Sequence, residues 1–148
     1  MMKKDLWTCP KCRHRFVTRN LWHSCVRVPL ADHFKGKDPI VRRLFTQWHS
    51  LARRSGPVTV YAQKSRIVFQ VRVRFAGAVT HKSWLEATLW LQHRADHPCL
   101  TRVEDFGRLG YVLHFRLAKA EDIDGDLAAL MGEAYSVGKQ DHLVARRL

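Results

Sequence analysis

An alternation of apolar and polar residues over positions 67–75 constrains the fold of this chain most strongly. Every second position is apolar: Ile67, Phe69, Val71, Val73 and Phe75. The positions between them hold Val68, Gln70, Arg72 and Arg74. A period of two is typical of a β-strand with one buried side and one solvent-facing side. The pattern therefore predicts one continuous strand, in a sheet with one apolar face.

Other segments predict the rest of a main domain. Strands are indicated at 58–61, 84–91 and 111–117, and a weaker one at 100–106. Asp38, a good N-cap residue, followed by Pro39 predicts the start of a helix that reaches to about residue 54. An apolar stripe over 120–137 predicts a second helix. Each helix has one apolar side, so we expect both to pack on the apolar face of the sheet.

Three of the four cysteines lie near the N-terminus with one histidine, in the motif Cys9-x2-Cys12 … His23-x-Cys25. Two cysteines separated by two residues can direct both thiolates at one point, and a second pair can complete a tetrahedron. So short a segment buries too little apolar surface to fold alone, so a bound metal would supply the folding free energy. The spacing predicts one structural Zn²⁺ on Cys9, Cys12, His23 and Cys25.

The zinc hypothesis has alternatives. His14 can replace His23 as a ligand, the cysteines can be reduced residues that happen to cluster, or Cys9 and Cys12 can form a redox pair. Arg13 follows the second cysteine, where the turn of a zinc knuckle favours glycine. The N-terminus has no apolar signal-peptide core, so we expect a cytoplasmic protein, where clustered cysteines more often bind metal.

The predicted fold class is α+β. A zinc knuckle or finger is expected over residues 1–28. A two-layer domain follows over 29–138, in the order helix, antiparallel sheet of four to five strands, helix. Residues 139–148 are expected to form a flexible tail.

The charge of the chain indicates a polyanionic partner. The net charge is +13, and residues 1–118 hold 22 of the 26 Lys and Arg side chains but only 7 of the 13 Asp and Glu side chains. A basic field over most of a small protein attracts nucleic acid. Apolar runs are too short for a membrane span, so no membrane association is expected. Whether the partner is DNA or RNA is left open by the sequence.

The solvent-facing side of the predicted sheet is the candidate binding surface. Its predicted members are Lys64, Arg66, Gln70, Arg72, Arg74, His114 and Arg116, with Trp84 and Trp90 on the same face. Guanidinium groups contact phosphates and indole rings stack on bases, so such a face suits single-stranded nucleic acid. Arg72 and Arg74 are expected about 7 Å apart on one strand.

The sequence therefore predicts a zinc-containing, non-catalytic nucleic-acid-binding protein. One alternative is an interaction module that uses the same face to dock an acidic protein partner. A phosphodiester-cleaving enzyme is a weaker alternative, because the chain has no nucleophile motif, no glycine-rich phosphate loop and no paired carboxylates at a telling spacing.

Several motifs carry a resemblance to a known family. They are Cys9-Pro10-Lys11-Cys12, Trp22-His23-Ser24-Cys25, Asp32-His33-Phe34-x-Gly36-Lys37, Gly56-Pro57-Val58-Thr59-Val60, the run 63–76 and Arg102-Val103-Glu104-Asp105-Phe106-Gly107. Over most of residues 7–137 the chain resembles a bacterial family of uncharacterised proteins, a domain of unknown function. The resemblance supports the predicted domain layout and leaves the activity open. Arg13 departs from the glycine expected in that family.

Overall fold

The computed structural model describes residues 5–13, 15–17 and 27–145. Its helices are α1 (Pro39–Arg53), α2 (Gly125–Gly138) and α3 (Asp141–Ala145). Its strands are β1 (Trp7–Thr8), β2 (Arg15–Phe16), β3 (Thr59–Ala62), β4 (Ile67–Gln70), β5 (Arg74–Thr80), β6 (Leu85–Leu91), β7 (Leu100–Asp105) and β8 (Tyr111–Leu117). No helix among the described residues is both long and apolar enough to cross a membrane.

The main domain is α+β, as predicted, with a six-stranded antiparallel sheet in the order β3-β4-β5-β6-β8-β7. α1 and α2 pack on one face of this sheet. The core between them includes Trp48, Phe69, Phe75, Phe115 and Leu127, all essentially inaccessible to solvent. The indole Nε1–H of Trp48 donates to the carbonyl of Gly77 in β5 at 3.2 Å and fixes α1 to the middle of the sheet.

The prediction of one strand over 67–75 is wrong, and the sheet has six strands instead of four to five. The chain turns back at residues 71–73, so β4 and β5 are neighbouring antiparallel strands, with Gln70 opposite Arg74. The backbone N–H groups of Arg72 and Val73 donate to the carbonyl of Gly138 at the end of α2. Phe69 and Phe75 still reach the core, because the hairpin returns the chain to the same face of the sheet.

The second helix begins later than predicted. Residues 120–122 form a single 3-10 turn, and α2 starts at Gly125 with Asp124 as its N-cap. The carboxylate of Asp124 accepts a hydrogen bond from the backbone N–H of Leu127 at 2.9 Å, which is the usual N-cap contact. Within the segment expected to be a tail, Gln140 is buried and α3 covers residues 141–145.

β1 and β2 form a small N-terminal hairpin that contacts the main domain. Phe16 is buried, and the guanidinium of Arg74 lies over its ring at 5.0 Å. Arg15 donates to the carbonyl of Val71 at 3.3 Å. In the segment that leads into α1, Phe34 packs on Phe45, with ring centroids 5.3 Å apart.

Candidate nucleic-acid interface

The face of the sheet opposite the two long helices forms the floor of a groove of about 750 Å³. The N-terminal hairpin and α3 border the groove on one side, and the β7–β8 connection borders it on the other. Gly77 lies at its floor, opposite Thr88 of β6. A methyl group at Gly77 would lie 2.7 Å from the carbonyl oxygen of Ile67, so the close approach of β4 and β5 excludes a side chain there.

The strand register places two rows of side chains across β6, β8 and β7. Thr88, His114 and Arg102 form one row, and Trp90, Val112 and Glu104 form the next. Neighbouring strands in a sheet lie about 5 Å apart, so each row spans about 10 Å. Residues far apart in sequence, such as Thr88 and His114, are thus brought to one patch.

His114 lies at the centre of a charged cluster formed with Glu86, Glu104 and Arg102. Its Nδ1 is 2.9 Å from Glu86 Oε2, and its Nε2 is 2.6 Å from Glu104 Oε1. Its side chain is 9% exposed. A carboxylate accepts hydrogen bonds only, so a ring nitrogen that bonds to one does so through its N–H. Arg102 Nη2 lies 3.2 Å from His114 Nε2 and 3.5 Å from Glu104 Oε1, and it adds a positive charge to the cluster.

The hydrogen bonds in this cluster control the ionisation of Glu86. Burial would by itself raise the pKa of the Glu86 carboxyl. Hydrogen bonds from His114 and His81 together outweigh that effect and lower its pKa below the usual range. Glu86 therefore stays a carboxylate at neutral pH, and it ties β6 to β8.

The two tryptophans predicted for this face lie on it, but in different environments. Trp84 stacks on His81 with ring centroids 3.8 Å apart, and Arg116 lies over its ring at 4.3 Å. Trp90 instead meets Phe106, with centroids 5.2 Å apart. Phe106 is 44% exposed, so the Trp90–Phe106 pair is an aromatic surface open to solvent, whereas Trp84 is already stacked.

Other exposed apolar residues border the same groove. In the described part of the chain, the large hydrophobic side chains that are most exposed are Val17, Phe106 and Leu109, and all three line it. Exposed apolar side chains that gather around one groove are typical of a binding site.

Positive charge exceeds negative charge around the groove. Its lining includes the arginines Arg15, Arg66, Arg74, Arg102 and Arg108. The acidic residues that line it are Glu86 and Glu104, which the His114 cluster neutralises in part. A second basic surface lies across the sheet, on the exposed side of α1. It consists of Arg42, Arg43, Arg53 and the adjoining Arg54.

The structure separates the predicted binding residues into three groups. Lys64 and Arg66 are exposed in the β3–β4 turn, and Arg116 is exposed on β8. Gln70 and His114 are buried, which corrects the prediction that they are displayed to solvent.

Arg72 and Arg74 form the third group. They do not form the predicted pair on one strand, because the hairpin turn falls between them. Arg72 donates to Gln140 at 2.7 Å, and Arg74 is half-buried against Phe16.

Several groove residues were missed by sequence reasoning: Arg15, Glu86, Arg102, Glu104 and Arg108. Glu86 lies on the same side of β6 as Trp84 and Trp90, so the period of two could have predicted which face it is on. The positions of Arg102 and Glu104 could not have been predicted in this way, because β7 has a weak pattern and pairs with β8 through an irregular register.

Another polar cluster joins the loop before β7 to α2. His97 is buried, and its Nε2–H donates to Asp124 at 3.0 Å, while its Nδ1 accepts from the backbone N–H of Cys99. The hydrogen bond from Leu127 and the contact with His97 lower the pKa of Asp124. Burial and the neighbouring Asp122 raise the pKa of the Cys99 thiol, so this cysteine is a poor nucleophile. The cluster is suited to holding the fold together.

Two of the four predicted zinc ligands are described. Cys9 is buried and Cys12 is half-buried, in a tight turn closed by a hydrogen bond from the N–H of Arg13 to the carbonyl of Cys9 at 2.8 Å. Arg13 has φ 65°, the left-handed conformation that glycine adopts most readily and that was expected after the second cysteine of a zinc knuckle. His23, Cys25 and the alternative His14 lie outside the described residues. Among the residues that are described, no three metal-ligating side chains come together.

The sequence of the α+β domain matches a known protein family. A family described as "Domain of unknown function (DUF5655)" matches residues 30–138. Because the match covers most of the chain, this protein belongs to that family. No curated protein and no solved structure shows a significant match to the chain.

Proposed function

We propose that the protein binds single-stranded nucleic acid in the groove. The observation that carries this proposal is the union, in one groove, of five arginines with the solvent-open aromatic pair of Trp90 and Phe106. Bases have apolar faces that stack on aromatic rings, and the backbone carries one negative charge per nucleotide. A single strand presents both groups at once, whereas a duplex hides its base faces.

We propose no reaction for this site. A histidine that acts as a general base needs a ring nitrogen within reach of the proton that it removes. Both ring nitrogens of His114 contact carboxylates, and the ring is buried. These contacts favour a structural role for His114 over proton transfer.

The first test uses two exposed arginines at opposite edges of the groove. Arg66 lies in the β3–β4 turn, and Arg108 lies between β7 and β8. Changing both to alanine should weaken binding of a labelled single-stranded oligonucleotide. The slope of log affinity against log salt should fall by about 1.4, because each phosphate contact on a single strand contributes about 0.7. Fluorescence anisotropy at several salt concentrations measures this slope.

The matched control is Arg53→Ala with Arg54→Ala at the end of α1, across the sheet from the groove. It removes the same two charges, and both side chains are exposed. If binding depends only on net charge, the two double variants will lose affinity equally, and the groove is not the site. If the wild-type protein binds an acidic polypeptide but no oligonucleotide at low salt, the groove is a protein-docking surface instead.

We also propose that the N-terminal segment holds one structural Zn²⁺ on Cys9, Cys12, His23 and Cys25. The left-handed backbone at Arg13 and the tight Cys9–Arg13 turn support this, because they bring two thiol-bearing residues together as a zinc knuckle does. The ion would hold the hairpin that borders the groove.

Native mass spectrometry should find one zinc per chain in the wild-type protein. Cys12→Ser should lose the metal, because serine is a poor zinc ligand. Cys99→Ser is the matched control and should keep it, since Cys99 lies beside α2, in the cluster of His97 and Asp124. A folded wild-type protein without metal would contradict the proposal. Equal loss of zinc in Cys12→Ser and Cys99→Ser would also contradict it.

A further inference from the structure

Arg102 and Glu104 leave unused hydrogen-bonding groups beside the aromatic pair. Every contact of the Glu104 carboxylate within the described chain is made by Oε1, so Oε2 is open as an acceptor. Arg102 uses only Nη2 in the described structure, so parallel N–H groups of its guanidinium fork remain. The side chain of Glu104 is 39% exposed, and that of Arg102 is 61% exposed. Together the open groups supply two N–H donors and one carboxylate acceptor, which we name the polar array.

This array lies next to the position where a base would stack. Glu104 and Phe106 are two residues apart, and Phe106 meets Trp90 at 5.2 Å. Glu104 is also in the row that Trp90 and Val112 form across the sheet. A base that stacks on the aromatic pair therefore has its edge within reach of the array. Buried His114 holds the Glu104 carboxylate in place at 2.6 Å.

We propose that this pair is a base-reading subsite that prefers cytosine over uracil and thymine; the inference rests on the proposed function. The Watson–Crick edge of cytosine has two adjacent acceptors, O2 and N3, followed by the N4 amino donor. This edge complements two arginine N–H groups and a carboxylate oxygen. The same edge of uracil or thymine has an acceptor, a donor and an acceptor, so the contacts at N3 and at position 4 are lost.

Cytosine and uracil provide the sharpest comparison, because they differ only at the edge that is read. Two oligothymidine strands that carry a central deoxycytidine or deoxyuridine have the same charge and similar stacking. The wild-type protein should bind the cytosine strand about tenfold more tightly, since a mismatched base edge leaves hydrogen-bonding groups of the subsite unpaired.

Arg102→Lys separates base reading from phosphate contact. Lysine keeps the charge but lacks the planar fork, so the variant should bind the two strands equally while retaining most of its affinity for the uracil strand. Arg108→Lys is the matched control on the groove edge and should keep the preference for cytosine. Circular dichroism should show unchanged folding for both variants, because both side chains are exposed.

The outcomes distinguish this inference from the proposed function. If the wild-type protein binds all strands with equal affinity, the base-reading subsite is refuted while the nucleic-acid groove stands. If Arg102→Lys keeps the full cytosine preference, selectivity arises elsewhere and the subsite is also refuted. If the wild-type protein binds no strand at low salt, the proposed function fails, and the inference fails with it.

Discussion

Phe69→Ala is expected to lower the free energy of unfolding by about 3–5 kcal/mol, because it leaves a large cavity in a close-packed core. Phe69 is completely buried, and its ring packs against Phe45, His49 and Phe75 with centroids 5.9, 5.5 and 6.5 Å apart. It joins β4 to α1 and to the neighbouring strand, so the cavity cannot close without moving all three. Urea unfolding followed by circular dichroism measures the loss.

Phe106→Ala is the matched control for this prediction. It removes the same atoms from a side chain that is 44% exposed in the groove, so stability should change by much less. Oligonucleotide affinity should fall in Phe106→Ala because half of the aromatic pair is lost. Equal destabilisation by the two changes would contradict the packing described for the β4–β5 hairpin.

His114→Leu is expected to lower stability at pH 7 by about 2–3 kcal/mol. Removing one member of a buried charge network leaves its partners uncompensated, which costs about 3–5 kcal/mol when all are buried. Glu86 and Glu104 are 25% and 39% exposed, so water reduces that cost. In the variant the two carboxylates face a leucine and have lost the imidazole ring that bonds to both.

The effect of His114→Leu should depend on pH. The pKa of Glu86 is lowered in the folded protein, so its contribution to stability is present above the unfolded-state pKa and is lost as the pH falls through the folded-state value. The variant lacks the hydrogen bond from His114, so it has less of this stabilisation to lose. The gap between wild type and variant should therefore be widest near neutral pH and narrow below about pH 4.

A double variant tests the cause. Adding Glu86→Gln to His114→Leu removes one of the uncompensated charges, so it should recover part of the lost stability at pH 7. If the gap between wild type and His114→Leu is the same at about pH 3 as at pH 7, the loss arises from packing, and the charge network contributes little.

Local pattern in the sequence determined which segments form helices and strands. The period of two predicted the bounds of β8 (Tyr111–Leu117) correctly and the start of β6 (Leu85–Leu91) to within one residue. It also predicted that Trp84 and Trp90 lie on the face away from the core. Asp38-Pro39 marked the start of α1. These features depend on neighbours within a few positions, so sequence alone carries them. The family-defining domain at 30–138 also falls within the predicted main domain.

The tertiary structure decided where the strands turn and which polar residues meet. An alternating pattern persists through the tight hairpin at 71–73, because both arms face the same core, so the turn was not visible in the alternation. His114 was expected to face solvent, and it is buried because Glu86 of β6 and Glu104 of β7 reach it from both sides. That contact requires β8 to lie between β6 and β7, and the non-consecutive strand order provides this arrangement. The partners of a side chain across a sheet depend on the order of the strands and not on its own neighbours in the chain. For this reason the sequence pattern around His114 could not predict its burial.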